Sequence, residues 1–363
     1  MSSVDSYRVY SAGISLDEGA AKSEHDYPFQ VITFDLWSGR LDLLPRPLKY
    51  ALIMLELTFR LVKSGRAIKP KVVHCHDTLV LAAGVIIKLI TGAKLVYDAH
   101  ELESKKNAQS PILSRSTLFL EKVCWRYVDL LITVSPSIID WYISNLGEKS
   151  SALILNSPMV ESIEKGGKNA LDPYKDGYFH QRYDIPRDRI IYIYVGLLVQ
   201  GRGIESIISI FSQRDIKSHV VFVGYGSMKD EIGRISCECE NVHLHEPVPH
   251  EDVVSLVKNA DIGLCLIENV SLSDFYCLPN KLFEYGFAGV PILASKFPDI
   301  EKVVSDHKLG YCCDNDAQSI AKAIKKIERE GRSENGNSDL SKLSWEAQAE
   351  RLIEKYSELL KSS

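Results

Sequence analysis

The sequence lacks both a cysteine framework and a long apolar run, and each absence excludes a class of protein. Its eight cysteines are scattered, and the close pairs Cys237/Cys239 and Cys312/Cys313 are spaced too tightly for a disulfide framework. Charged residues break every apolar run well before the roughly 20 residues that a spanning helix needs. No basic-then-apolar signal segment opens the chain. We therefore expect a protein of the reducing cytoplasm, without a spanning segment.

Basic charge is also scarce over the chain as a whole. The formal net charge of −5 excludes a general nucleic-acid binder, which needs a basic surface to displace counterions. Residues 46–71 differ, because they carry seven basic residues and one acidic residue, Glu56. Their Leu, Ile, Met and Phe side chains suit a helix that lies on anionic lipid. Two interpretations stay open: a solvated domain face, or peripheral contact with the inner face of a membrane.

Two further motifs are missing. No G-x-G-x-x-G sequence opens a helix after a strand in either half, which disfavours a dehydrogenase. The cysteines form no paired ligand sets of the kind that zinc needs. His74, Cys75, His76 and Asp77 follow one another, but strand alternation places His74 opposite Cys75, and Asp77 is expected to cap the next helix. No metal site is therefore predicted.

What the sequence does contain is an alternation of short Val- and Ile-rich runs with helical patterns in both halves. This alternation is typical of βα units with parallel sheets. Strands are predicted at 29–34, 71–75, 94–97, 130–134, 151–155, 190–195, 219–223, 242–245, 262–267 and 291–294. The fold class is therefore α/β. A chain of 363 residues also predicts two domains of roughly 100–200 residues each, with a cleft between them.

The domain boundaries follow from where the pattern fails. Between about Ser157 and Arg189, glycine, proline and charged residues crowd together, which indicates a linker. A helical pattern returns from Trp345 to Leu359 after a polar stretch. We divide the chain into a first domain (1–160), a linker (161–188), a second domain (189–343) and a closing helix (344–363).

The most informative segment is LPNKLFEYGFAGVPILA at 278–294. Pro279 suits the first position of a helix, and Lys281 and Glu284 share one face of that helix. Such a helix directs free N–H groups and the positive end of its dipole out of the carboxyl edge of a sheet, where an anion binds. The alternative is a simple surface pair of Lys and Glu.

A second segment, 190–211, has the form of a strand, a glycine loop and a helix. The strand ends at Gly196, and the loop carries Arg202 between Gly201 and Gly203. Glycine lets the backbone approach a ligand closely, and an Arg side chain offers a planar fork of donors to phosphate oxygens. A third turn, Gly224-Tyr-Gly226, follows the next predicted strand.

With these motifs the sequence resembles the retaining glycosyltransferases of family 4, which have the GT-B fold of two Rossmann-like domains facing across a cleft. The resemblance covers nearly the whole chain. The matching segments, in order, are VVHCHD, LVYDAHE, VDLLITVS, YVGLLVQGRGIE, FVGYGS, ADIGLCLI, PNKLFEYGFAGVPIL and SWEAQAERLIEKYSELL.

The resemblance implies transfer of a sugar from a UDP- or GDP-linked donor to a hydroxyl acceptor, with retention, in polysaccharide or glycolipid assembly. It implies that Glu284 binds the ribose hydroxyls and that Arg202 and Lys281 bind the diphosphate, without a metal or other cofactor. His100 would lie beside the sugar, and Glu101 follows it at the cleft. The other residues predicted to bind the donor are Gly196, Gly224, Gly226 and Asn280.

The sequence departs from the family pattern at three places. Tyr276 stands where many members have a glutamate, and Leu197 stands where many have an arginine. The usual first strand and glycine-rich loop are not found before Tyr7. This last departure supports, as an alternative, a catalytically weak scaffold or activator of a partner transferase. A nucleotide-sugar epimerase of similar fold is a further alternative.

Overall fold

The computed structural model describes residues 8–14, 29–42, 44–159, 174–331 and 339–361. The strands in these ranges are β1 (Tyr10–Ile14), β2 (Gln30–Phe34), β3 (Val72–His76), β4 (Lys94–Ala99), β5 (Leu130–Thr133), β6 (Ser151–Leu153), β7 (Ile191–Val195), β8 (His219–Val223), β9 (Val242–His245), β10 (Ile262–Cys265), β11 (Ile292–Ser295) and β12 (Gly310–Cys313). The helices are α1 (Arg46–Ile68), α2 (Leu81–Thr91), α3 (Pro111–Trp125), α4 (Pro136–Leu146), α5 (Tyr178–Arg182), α6 (Ile204–Phe211), α7 (Lys229–Glu238), α8 (Val253–Val257), α9 (Leu272–Phe275), α10 (Asn280–Phe287), α11 (Pro298–Asp306), α12 (Ala317–Glu330) and α13 (Trp345–Lys361).

The first domain is built on a parallel sheet of four strands in the order β3-β4-β5-β6. Strand β4 reads KLVYDA, and five of its six residues are buried because helices cover both faces of the sheet. At one face Tyr97 and Tyr142 donate hydrogen bonds to the buried carboxylate of Glu121, at 2.9 and 2.6 Å. The predicted α/β class is thereby confirmed for this half.

Strands β1 and β2 form a separate parallel pair. The prediction of a strand at 29–34 is met by β2, whereas β1 was not predicted. It contains a glycine and lies at Tyr10–Ile14, in a short run with little apolar pattern. A strand therefore does precede β2, and it pairs with β2 and not with the four-stranded sheet. The glycine-rich loop would follow it, in residues 15–28, which lie outside the described ranges.

The second domain contains a parallel sheet of six strands in the order β12-β11-β10-β7-β8-β9. The chain runs from β7 outward through β8 and β9, and then resumes on the other side of β7 with β10, β11 and β12. Strand order thus reverses between β7 and β10. In open α/β sheets a ligand binds at such a switch point, outside the carboxyl ends of the strands.

The segment predicted as a linker is partly folded into the second domain. Helix α5 lies inside the range 161–188, and its Phe179 is fully buried in the core of that domain together with Ile185. In the sequence these two apolar residues lie among glycines, prolines and charged residues, so the pattern did not identify them as core residues. The part at 161–173 lies outside the described residues.

Helix α13 lies against the first domain. Its Leu352, Tyr356 and Leu359 pack on Val96 and Ile132 of the first sheet. The backbone N–H of Leu155 donates to Gln348 Oε1 at 3.1 Å, which fixes the start of α13 to the end of β6. The last helix therefore crosses from the second domain back to the first.

Among the described residues, three hydrogen bonds join the two domains directly. Leu102 N–H donates to Ser273 Oγ at 3.1 Å, and Ser135 Oγ donates to the carbonyl of Tyr276 at 2.6 Å. Ser137 N–H donates to the buried carboxylate of Asp299 at 3.0 Å. These contacts bring the carboxyl ends of the two sheets together across a cleft. In the described part of the chain, no helix is both long enough and apolar enough to cross a bilayer.

Candidate functional site

Glycines shape the floor of the cleft on the side of the second domain. Gly196 directly follows β7, and Gly224 directly follows β8, both with positive φ. A Cβ on Gly224 would lie 1.9 Å from the carbonyl oxygen of Gly196, and a Cβ on Gly226 would lie 2.2 Å from that of Leu198. The two loops therefore touch backbone to backbone. This contact by itself explains Gly224 and Gly226, and their role in donor binding stays a prediction.

The loop with Arg202 leads into α6. Gly203 precedes the helix with φ 74°, and a Cβ there would lie 2.7 Å from the carbonyl oxygen of Leu266. The Arg202 side chain is 36% exposed, and its Nη1 lies 3.9 Å from Asp274 Oδ1. That distance makes a loose ion pair. The guanidinium therefore keeps donors for a ligand that enters the cleft.

Helix α10 begins at Asn280, so Pro279 is the residue before the helix and not its first residue as predicted. Asn280 is exposed in the first turn. Lys281 Nζ lies 3.6 Å from the centre of the Tyr194 ring, in cation–π geometry. A Cβ on Gly196 would lie 3.5 Å from the same Nζ. The ammonium group of Lys281 therefore sits beside the end of β7, at the switch point.

Glu284 follows one turn later and is buried. Burial raises the pKa of its carboxyl group, while the charges of His250 and Lys281 lower it. His250 Nδ1 lies 3.9 Å from Glu284 Oε1 and comes from the loop after β9. The sequence did not point to His250, because Glu284, which it approaches in the fold, is 34 residues further along the chain.

Tyr285 holds α10 in place against the sheet. The backbone N–H of Val195 donates to Tyr285 Oη at 3.0 Å, and the ring fills the space beside Gly263, where a Cβ would lie 2.4 Å from it. This contact joins α10 to both strands of the switch point, β7 and β10. Tyr285 was also missed. Two sequence features could have indicated its role: an aromatic residue directly after Glu284, and a glycine, Gly263, inside the strand predicted at 262–267.

Arg202, Lys281 and Glu284, the three charged residues predicted to bind the donor, all affect the pKa of the buried Cys265 thiol. Burial raises the pKa of the Cys265 thiol to about 11, Lys281 and Arg202 lower it, and Glu284 raises it. Cys265 is the last residue of β10. Arg202, Lys281 and Glu284 therefore all lie near the carboxyl end of this strand, and their binding of a donor stays a prediction.

The first domain contributes His100 and Glu101 from the loop after β4. His100 Nδ1 lies 3.5 Å from Asp98 Oδ1, and its Nε2 lies 3.2 Å from His76 Nδ1. Glu101 is about half exposed. Its charge raises the pKa of the Cys277 thiol in the second domain, although burial is the larger cause. Glu101 Oε2 lies 3.5 Å from Lys106 Nζ of its own domain, and Glu101 is near enough to the second domain for its charge to act on Cys277.

The expectation that Asp77 caps a helix was wrong. Asp77 has φ 64°, and its side chain accepts no capping hydrogen bond. Its charge instead acts on Glu103, whose pKa rises to about 7, chiefly because of burial and despite Lys106 Nζ at 2.6 Å. Glu103 lies in the loop that contacts α9 of the second domain. It is a titratable cleft residue that the sequence did not single out.

Each of the two domains matches a glycosyltransferase family model. Residues 178–342 match the family model for glycosyl transferases group 1, and residues 21–156 match the model for glycosyltransferase family 4. No curated protein matches the sequence. Together the two family matches cover most of the two domains.

Solved structures share the fold over almost the entire chain. Sucrose-phosphate synthase from Thermosynechococcus elongatus has a TM-score of 0.74 at 17% identity, with 99% of this chain and 91% of that chain covered. HepE from Anabaena, in complex with UDP, has a TM-score of 0.70 at 15% identity, with 97% and 100% covered. HepE in complex with UDP-glucose has a TM-score of 0.69 at 15% identity, with 92% and 87% covered. The family models of both domains and the shared architecture identify this chain as a glycosyltransferase with the GT-B fold.

Proposed function

We propose that this glycosyltransferase takes its sugar from a UDP- or GDP-linked donor and transfers it to a hydroxyl acceptor with retention of configuration. The observation that carries the proposal is the convergence of Arg202, Lys281 and Glu284 at the switch point of the second sheet. Two cations suit a diphosphate, and a buried carboxylate suits a pair of ribose hydroxyls. HepE, which shares the fold, is solved with UDP and with UDP-glucose.

The proposed mechanism follows from where charge develops. As the bond from sugar C1 to the phosphate oxygen breaks, negative charge grows on the diphosphate. Arg202, Lys281 and the N–H groups at the start of α10 stabilise that charge more strongly in the transition state than in the ground state. The acceptor oxygen forms the new bond to C1, and its proton passes to the departing phosphate oxygen. This scheme needs no metal.

Retention is proposed to arise by attack on the same face of the sugar that the diphosphate leaves. A retaining glycosidase would instead use two carboxylates about 5 Å apart, one of them a nucleophile. The sequence motifs single out no such nucleophile. His100 is proposed to lie beside the sugar and Glu101 beside the acceptor, because both follow β4 at the cleft and the charge of Glu101 acts on Cys277 of the second domain.

A thermal-shift panel of UDP-, GDP- and ADP-glucose tests the donor. We expect one base to raise the melting temperature most, because a ligand at a hundred times its dissociation constant adds about 2.7 kcal/mol of stability. Transfer to a simple alcohol should then give a product with the anomeric configuration of the donor, read by NMR. His100→Ala should keep the shift but lower kcat.

Each outcome of this experiment has a distinct meaning. No shift with any nucleotide sugar would contradict the donor site, and an inverted product would contradict retention. An unchanged kcat in His100→Ala would contradict its place beside the sugar. Donor binding with no transfer to any acceptor would favour the alternative of a scaffold or activator.

We further propose that α1 contacts an anionic membrane, which would suit a lipid-linked acceptor. Leu48, Leu55 and Phe59 are exposed along one face of α1, and Leu55 and Phe59 are 67% and 68% exposed. Lys63 and Arg66 continue that face and are exposed too. An apolar face that ends in basic residues suits the boundary between lipid headgroups and acyl chains.

Not every basic residue of α1 belongs to that surface. Arg60 Nη2 lies 2.6 Å from the buried carboxylate of Glu56, which also accepts hydrogen bonds from Ser38 N–H and Oγ. These bonds hold the pKa of Glu56 down to about 2, although its burial acts in the opposite direction. Arg60 is therefore structural, and a test of membrane contact has to spare it.

Replacing Lys63 and Arg66 with Glu should weaken binding to anionic vesicles by at least about 30-fold, since each basic residue near such a surface contributes about 1 kcal/mol. Co-sedimentation with anionic and neutral vesicles measures this. Lys258→Glu with Lys322→Glu, on exposed positions of the second domain, is the matched control and should bind like the parent. Equal loss in both double variants would mean that only net charge matters, and the α1 surface would be rejected.

A further inference from the structure

A cluster of three histidines and one aspartate lies at the carboxyl end of the first sheet. His74 and His76 are two residues apart on β3 and therefore point to the same face. Asp98 lies on the neighbouring strand β4, directly opposite His76 in the register. His100 follows β4 two residues later. Of these four residues, His100 is also proposed to lie beside the sugar, whereas His74, His76 and Asp98 have no part in the transferase site proposed above.

The atoms of the cluster converge on one point. His74 Nε2 lies 2.9 Å from Asp98 Oδ2, and His76 Nδ1 lies 3.4 Å from the same oxygen. One atom from each of His74, His76 and Asp98 falls within 4.8 Å of the other two. In a tetrahedral site with bonds of about 2.0–2.1 Å, neighbouring ligand atoms are about 3.3 Å apart. The three side chains therefore already stand near the separations of bound ligands.

Hydrogen bonds within the cluster do not satisfy all of its polar atoms. Asp98 is buried, and its Oδ1 accepts no hydrogen bond among the described residues; the buried Nδ1 of His100, which lies 3.5 Å from that oxygen, makes none either. Each such group costs free energy unless it is paired with a proton donor or a cation. The rings of His74 and His76 stack at 4.3 Å between their centres, and those of His76 and His100 stack at 5.4 Å.

We propose that His74, His76 and Asp98 bind a divalent transition-metal ion, with Zn²⁺ as the first candidate. The ligand atoms are His74 Nε2, His76 Nδ1 and the carboxylate of Asp98. Two imidazoles and one carboxylate favour zinc and its first-row neighbours over Mg²⁺ or Ca²⁺, which prefer oxygen ligands. His76 is 64% exposed, so the fourth position opens to solvent and takes a water molecule.

The partner of the second His74 nitrogen supports this assignment. His74 Nδ1 is hydrogen-bonded to Tyr356 Oη of helix α13. Histidines that bind metals use their other ring nitrogen in this way, because the bond fixes the ring orientation and the tautomer. With a metal on Nε2, the Nδ1–H group donates to Tyr356. The proposed site therefore links the first sheet to the helix that returns from the second domain.

Calorimetric titration of untagged, chelator-treated full-length protein with Zn²⁺ tests the proposal. We expect one equivalent to bind and the melting temperature to rise with its concentration. Co²⁺ as a probe should give the visible absorption bands of a tetrahedral site. His76→Ala removes an exposed ligand with little risk to folding, and it should weaken binding by more than about 100-fold. Tyr356→Phe should weaken it by about 10-fold or more, since it removes only the orienting bond.

The second domain supplies a matched control. His219 and His243 also stack on neighbouring strands, with Nδ1 and Nε2 3.0 Å apart, but within the described ranges neither forms an ion pair with a carboxylate. His243→Gln should bind Zn²⁺ like the parent. The proposal fails if the parent binds no stoichiometric metal, or if His76→Ala binds as tightly as the parent. It also fails if cluster variants lose stability equally with and without metal. None of these readouts uses a sugar donor, so they stand apart from the test of transferase function.

Discussion

Arg202→Ala is expected to weaken binding of a nucleoside diphosphate by about 1.5 to 3 kcal/mol for each charge-assisted hydrogen bond lost, and to leave the monophosphate almost unchanged. The reason is the position of the Arg202 side chain. Arg202 stands between two glycines at the start of α6, and among the described residues its ion pair with Asp274 is loose, at 3.9 Å. Titration calorimetry with both nucleotides measures the difference.

Glu284→Gln is the matched comparison for Arg202→Ala. Its buried carboxylate is proposed to bind the ribose, which both nucleotides share, so this variant should weaken both alike. Circular dichroism checks that both variants are folded. If Arg202→Ala weakens the mono- and diphosphate equally, the diphosphate assignment is wrong, and Lys281 becomes the main cation for the phosphates.

Gly224→Ala should destabilise the second domain by about 2 to 5 kcal/mol, combining overpacking with backbone strain. The added Cβ would meet the Gly196 carbonyl oxygen at 1.9 Å, and φ at this residue is 150°. The loops after β7 and β8 would have to separate, and Gly196 lies beside Lys281. We therefore expect donor binding to fall as well. Urea denaturation gives the free energy of unfolding.

Gly289→Ala is the control for this effect. Gly289 also has a positive φ, of 73°, but nothing lies within 4 Å of the Cβ that would be added. Gly289→Ala should therefore lower the free energy of unfolding by only about 1 to 2 kcal/mol, the cost of a left-handed backbone conformation at alanine, and donor binding should be unchanged. Equal destabilisation by the two substitutions would show that the close approach of the two loops is unimportant.

The strands of the second domain were predictable almost to the residue. The predictions at 219–223 and 242–245 match β8 and β9, because a strand covered on both faces leaves a continuous apolar run in the sequence. Strand β12 was missed. It reads GYCC, is only partly buried and lies at the edge of the sheet, so it has no such run.

For the candidate site, the sequence located charged residues but not the contacts that position them. Lys281 and Glu284 were recognised from one helix pattern, and Arg202 from one glycine loop. The roles of His250 and Tyr285 were not, because each depends on an element distant in the chain: His250 approaches Glu284, and Tyr285 packs on Gly263. Spacing within one helix or strand carries no information about such neighbours.

The sequence by itself determined the α/β class, most strands and the glycine loops, since these depend on local backbone preference and on the burial of nearby residues. Only the tertiary structure decided which side chains meet. In the structure Asp77 caps no helix through its side chain. His74 is hydrogen-bonded to Asp98 and to Tyr356, which are 24 and 282 residues away along the chain. The physical reason is that parallel strands and a returning helix bring together residues whose separation along the chain no local pattern records.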